Sequence, residues 1–159
     1  MAVRELGDLR AGIGRGQRLL GLDLGAKTIG LAISDAGLVV ASPLQTIRRT
    51  KFSAGVRALS LVVDERRVGG LVVGLPVNMD GREGRRCQSV RQFVADLLQH
   101  VDLPVAFWDE RLSTAAVQRI LVDEADMSRR RRARVVDKMA AAYILQGALD
   151  ALGRGAGAA

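Results

Sequence analysis

The sequence predicts an α/β fold: one mixed five-stranded sheet in the element order βββαβαβαα, with helices on both faces. Three observations predict it. A chain of 159 residues fits a single hydrophobic core. Its first third holds three apolar runs joined by short connections, the pattern of a meander. Beyond that, strand-like runs alternate with stretches of helical period, which implies parallel crossovers that cover both sheet faces.

Arg18–Leu24 (RLLGLDL) is an apolar run cut by Gly25, and Ile29–Asp35 follows after a tight connection as the second strand. Leu38–Ile47 is the third, where Pro43 points to a bend or an edge position because proline cannot donate to a sheet ladder. From Phe52 to Arg67 the residues Val56, Leu59, Ser60 and Val63 recur every three or four positions, an amphipathic helix that Gly69-Gly70 stops. Leu71–Leu75 is a buried strand ended by Pro76, and Val90, Phe93, Val94, Leu97 and Leu98 mark the next helix. Pro104–Phe107 begins another strand, Ser113 or Thr114 caps a helix running towards Val122, and Val135–Leu149 is the last helix. Residues 1–17 and 153–159 are glycine-rich and aperiodic. They are expected to be a flexible extension and a flexible tail around one domain, residues 18–152.

Composition narrows the function. At 48% hydrophobic and 26% charged residues the chain is globular, which excludes disorder throughout. The aromatic residues are five (Phe52, Phe93, Phe107, Trp108, Tyr143), too few for the base-stacking platforms of RRM-like or OB-like readers. Net charge is +7, and all but three of the 24 basic residues (Lys27, Lys51, Lys138) are Arg. Arg binds phosphate in a bidentate manner, so a nucleic-acid partner is the first expectation, against a general rise of Arg, Ala and Gly in a GC-rich genome. The single cysteine, Cys87, allows no internal disulfide framework and fits a cytoplasmic protein. Its neighbours Arg85 and Arg86 would lower the thiol pKa, although an inert thiol is the commoner case. No apolar run approaches the roughly 18 residues of a membrane span, so no membrane partner is expected.

Carboxylates within apolar strands or at strand ends carry the chemical signal, because burying a charge is costly unless it is paired or binds a metal. Asp23 stands between Leu22 and Leu24, with Gly21 and Gly25 leaving room for a phosphate or a backbone to approach. Asp109 and Glu110 end the strand VAFWDE, at the sheet edge where α/β proteins bind ligands, and alternation leaves only one of them to face a given site. Asp137 opens the last helix, where the helix dipole alone favours a carboxylate. Ala140, Ala141 and Ile144 follow it on one face, and this small-residue stripe would let the helix lie close to the sheet and bring Asp137 within reach of Asp23. Such an acidic cluster suits hard cations, Mg²⁺ or Mn²⁺, and two such ions support phosphodiester cleavage. There is no His/Cys zinc spacing, and His100, at a helix end, reads as a surface residue.

The segments GLDLGAKTIGLAISD (21–35), VVGLPVNMDG (72–81), DERLSTAAV (109–117) and DKMAAAYILQGALD (137–150) together resemble the YqgF/RuvX family of ribonuclease H-like proteins, described as pre-16S rRNA nucleases and Holliday junction resolvases. The four motifs stand in order across residues 18–150. The resemblance implies a ribonuclease H-like fold and a two-metal nuclease site in which the matching acids are Asp23, Glu110 and Asp137, with Glu110 selected over Asp109. It also implies a substrate loop at Asn78, beside the simpler reading of Pro76–Gly81 as a turn. The chain departs from the family pattern at Thr28, where Arg is common, and retains both hydroxyls at Ser113-Thr114.

Ser128–Arg134 (SRRRRAR) is the densest basic segment and is expected to be a mobile loop that clamps phosphates beside Asp137. The preferred function is therefore metal-dependent hydrolysis of a nucleic acid, most of all processing of the 5′ end of pre-16S rRNA. Lys27, Asn78, Arg111, Arg129, Arg130, Arg131, Arg132 and Arg134 would hold the backbone. Resolution of branched DNA is the alternative and calls for a homodimer, since a four-way junction is cut symmetrically. A catalytically silent RNA-binding assembly factor is a third reading. An actin-like ATPase or sugar kinase, suggested by Asp23-Leu24-Gly25 with Thr28 and Gly30, would need a second domain of the same kind for which the chain is too short.

Overall fold

The computed structural model describes residues 3–112 and 129–158, with side chains described for all of these except 129–137 and 155–158. Strands β1 (Arg18–Leu24), β2 (Thr28–Ser34) and β3 (Ala41–Arg48) form the expected antiparallel meander. Helix α2 (Phe52–Glu65) leads to β4 (Val68–Leu75), and α3 (Arg85–Leu97) to β5 (Val105–Asp109), a 3₁₀ turn (Glu110–Leu112) following directly. Two further helices are α1 (Leu6–Ala11) and α4 (Arg129–Ala158). The expected helix from Ser113 or Thr114 towards Val122 lies outside the described residues.

The sheet order is β3-β2-β1-β4-β5, with β1, β4 and β5 parallel. The central strands are covered on both faces, which is why β1 and β4 read as continuous apolar runs rather than alternating ones. Leu20, Leu22, Leu24 and Val73 belong to a core shared with Leu59 and Val62 of α2 and Val90, Phe93, Val94 and Leu97 of α3. On the other face Leu19, Val72 and Ala106 pack with Ala141, Ile144, Leu145 and Ala148 of α4 and Leu9 of α1. Pro43 lies on the edge strand β3 next to a shift in register, the positions where sheets accept proline.

Three expectations are corrected. The N-terminal extension is not a flexible tail: Leu6–Ala11 is helical, Leu9 is fully buried, Val3 forms a parallel bridge with Val105, and the Arg10 guanidinium donates to the Leu152 carbonyl at 3.1 Å. One buried leucine in a glycine-rich segment has no period, so sequence patterning could not show it. The segment 153–158 continues α4 instead of forming a tail. Arg129–Arg134 likewise lie on the first turns of α4 and not in a loop, in keeping with the good helix propensity of Arg.

Among the described residues no helix is long and apolar enough to cross a membrane.

Candidate active site

Asp23 is the penultimate residue of β1, pairs with Gly30 of β2 and is 2% exposed. Alternation along the strand fixes its direction. Leu22 and Leu24 serve the core under α2 and α3, so Asp23 shares the opposite face with Gly21. That face meets α4: a Cβ on Gly21 would stand 2.8 Å from the Leu145 Cβ and 3.1 Å from the Ala141 carbonyl oxygen. Gly21 therefore serves the close approach of α4, not the approach of a phosphate to Asp23.

Leu22 is in register with Val73, so the next residues, Asp23 and Gly74, stand side by side on parallel strands. A Cβ on Gly74 would lie 2.9 Å from Glu110 Oε1 and 2.5 Å from the Ile144 Cδ1. The Glu110 carboxylate thus occupies the space above Gly74 on the α4 face, next to Asp23. Asp109 is turned to other work. Its carboxylate accepts from the Arg111 side chain, with Nη2 at 2.7 Å, and from the Arg111 backbone N–H at 2.9 Å. The Arg111 guanidinium holds the Asp109 carboxyl below its usual range. The geometry separates the two acids that alternation left open: Glu110 stands over Gly74, on the strand next to Asp23, and Asp109 binds Arg111.

The small-residue stripe on α4 is buried as expected, with Ala140, Ala141 and Ile144 each at most 1% exposed. Leu152 is tied to α1, and Leu9 of α1 sits against Gly70 near the start of β4, so α4 runs from the carboxyl edge of the sheet towards its amino edge. Asp137 is one turn before Ala141, at the carboxyl-edge end of the helix. Its side chain, like those of Arg129, Arg130, Arg131, Arg132 and Arg134, lies outside the described residues. Among the described residues no three His, Cys, Asp or Glu side chains are grouped as a metal site. The pair Asp23 and Glu110 offers oxygen donors only, a set that fits a hard divalent cation and not zinc.

Lys27 is exposed in the β1–β2 turn, three residues past the end of a strand whose penultimate residue is Asp23. Asn78 is also exposed, but its backbone closes a turn: its N–H donates to the Arg82 carbonyl and its carbonyl accepts from Gly81, whose φ of 88° favours glycine. His100 is exposed, as expected. Cys87 is fully buried, and burial, with Glu83 adding to it, pushes its thiol above the ordinary value. That is opposite to the activation Arg85 and Arg86 would give.

Sequence reasoning missed Gly74. The signal was present, since a glycine inside a buried strand marks a close approach.

A mixed sheet in this order, covered on both faces and bearing acidic residues at the carboxyl edge, is a ribonuclease H-like architecture. The Thermus thermophilus RuvC protein, solved in complex with a Holliday junction substrate, shares this fold with a TM-score of 0.53 at 14% identity, over 85% of this chain and 94% of that one. The chain belongs to the RuvX family, whose model is described as Holliday junction resolvase and matches residues 17–151. A relative from Paramagnetospirillum magneticum is 63% identical over 94% of this chain and 96% of its own length. Another from Phenylobacterium zucineum is 62% identical over 96% and 98%. Both are named as candidate pre-16S rRNA nucleases.

Proposed function

We propose that this chain is a metal-dependent endonuclease that hydrolyses nucleic-acid phosphodiester bonds, with the 5′ end of pre-16S rRNA as its substrate. The observation that carries the reading is the pair of carboxylates at the carboxyl edge of the sheet, Asp23 beside Gly74 and Glu110 over it. The names given to the close relatives support the choice of substrate.

Asp23, Glu110 and Asp137 would hold Mg²⁺ or Mn²⁺, in the preferred reading two ions. Bound there, the metal supplies activation of the attacking water and charge stabilisation of the leaving oxygen. The protein's part is positional. The two central strands hold Asp23, and packing against Gly74 and Ile144 holds Glu110, so neither carboxylate needs to reorganise when substrate arrives. Lys27 and the arginines of the α4 start neutralise the backbone. Arg111, bound to Asp109, also reaches the Met79 carbonyl at 3.5 Å and so ties the strand end to the Asn78 loop. We place the substrate against that tied rim.

The description of the family favours a second reading, resolution of branched DNA by a homodimer. Labelled precursor 16S rRNA and a labelled four-way junction, incubated side by side with Mg²⁺ or Mn²⁺, separate the two. Cleavage of the RNA alone, lost in Asp23→Asn, is the expected result. Cleavage of the junction alone moves the assignment to branched DNA. Cleavage of neither, with RNA affinity retained, makes the chain a silent assembly factor. The basic start of α4 is tested separately: Arg129–Arg132 replaced by Ala should weaken binding and flatten its salt dependence while leaving metal affinity intact, and an unchanged salt slope would remove the clamp.

A further inference from the structure

A cavity of about 520 Å³ opens where β1 ends, between the β1–β2 turn, the loop from β3 into α2, and the first turns of α3. Three arginines, Arg49, Arg85 and Arg86, stand in its wall, and no acidic residue does. Leu24 also lines it, so the groove lies on the α2–α3 face at the carboxyl edge of the sheet, across the β1–β2 turn from Asp23. Arg49 is fixed in place: its Nη1 donates to the Gly25 carbonyl at 2.6 Å and its guanidinium lies 5.2 Å from the centre of the Phe93 ring. Arg85 and Arg86 are exposed, and among the described residues neither forms an ion pair, whereas Arg82, Arg91 and Arg111 each do. Their charge is therefore directed at whatever enters the groove. Thr50 and Ser89 place hydroxyls in the same wall, a further source of donors to phosphate oxygens.

We infer that this groove is a second phosphate-binding subsite, which holds the nucleic-acid backbone on one side of the scissile bond. The inference rests on the nuclease reading above. A strand whose reacting phosphate lies at Asp23 and Glu110 crosses the β1–β2 turn past the exposed Lys27 and enters the groove at Arg49, with Arg85 and Arg86 opposite. Contacts of this kind set register and affinity and carry no base preference. Such a subsite explains how a protein with few aromatic residues grips a single strand without stacking its bases.

The test is binding of labelled single-stranded RNA and of a four-way junction to Asp23→Asn protein, across a series of salt concentrations, with and without Arg85→Ala and Arg86→Ala together. Loss of two phosphate contacts is expected to weaken RNA binding at least tenfold at low salt. It should also reduce the slope of log affinity against log salt by about 1.4, at roughly 0.7 per contact on a single strand. Arg85→Lys with Arg86→Lys should restore most of the slope. Arg15→Ala with Arg66→Ala removes equal charge from exposed positions before β1 and after α2 and should leave the slope unchanged. If the groove variant matches its parent, or if the distant pair lowers the slope as much, the subsite is overturned while the nuclease reading stands. A parent with no affinity for either nucleic acid overturns both.

Discussion

Gly74 has no side chain, and that space is what sets the Glu110 carboxylate beside Asp23. At this scale each acid is assigned by its immediate neighbours: Asp23 by strand alternation, Glu110 by a glycine, Asp109 by Arg111. The Asp109–Arg111 pair has a pH signature. The hydrogen bonds from Arg111 lower the Asp109 pKa in the folded protein, so the contact contributes stability above the ordinary carboxylate pKa, about 3.9. That contribution is lost as pH falls through the lower folded value. A carbon-detected titration of the side-chain carboxyls should place the Asp109 midpoint below the ordinary value, and Arg111→Ala should return it there; an ordinary midpoint in the parent would contradict the pairing. Asp23 was legible in the sequence because an acid within an apolar strand stands out. The choice between Asp109 and Glu110 was not legible from alternation, since the 3₁₀ turn that starts at Glu110 breaks the two-residue period.

At the scale of elements, the site depends on how closely α4 lies on the sheet. Gly21 on β1 and Gly147 on α4 make that contact, Gly21 under Ala141 and Leu145, Gly147 against the Trp108 indole. Gly21→Ala would drive a methyl group to 2.8 Å from Leu145 Cβ and 3.1 Å from a backbone oxygen that cannot swing aside. We expect a loss of about 1–3 kcal/mol in denaturant unfolding, the usual cost of overpacking. Unchanged stability would contradict the close approach of α4 to β1. The alternation of strands and helices was readable because both central strands are buried on two faces and both helices between them have an apolar stripe. The start and end of α4 were not. Its first turns carry consecutive arginines and its last turns glycines, and neither run has a helical period.

For the molecule as a whole, positive charge and acidic chemistry meet on one edge. Arg49, Arg85 and Arg86 stand in a wall on the α2–α3 face that includes Leu24, and across the same sheet edge, on the α4 face, Glu110 stands over Gly74 next to the strand of Asp23. Net charge of +7 favours a polyanion partner, and in the proposed reading the buried Asp23 with the half-buried Glu110 gives it a cation-dependent place to react. Whether the second copy of the site demanded by a four-way junction forms is a question of assembly, which one chain's sequence does not encode legibly because a symmetric interface has no sequence period. The reading proposed above is narrower still: Asp23 and Glu110 would form one metal centre. It is tested most directly by Mn²⁺ titration followed by electron paramagnetic resonance on the parent, Asp23→Asn and Glu110→Gln proteins, each first shown to be folded by circular dichroism. The account predicts Mn²⁺ binding by the parent and at least tenfold weaker binding by either variant; Mn²⁺ bound equally well by all three would contradict it.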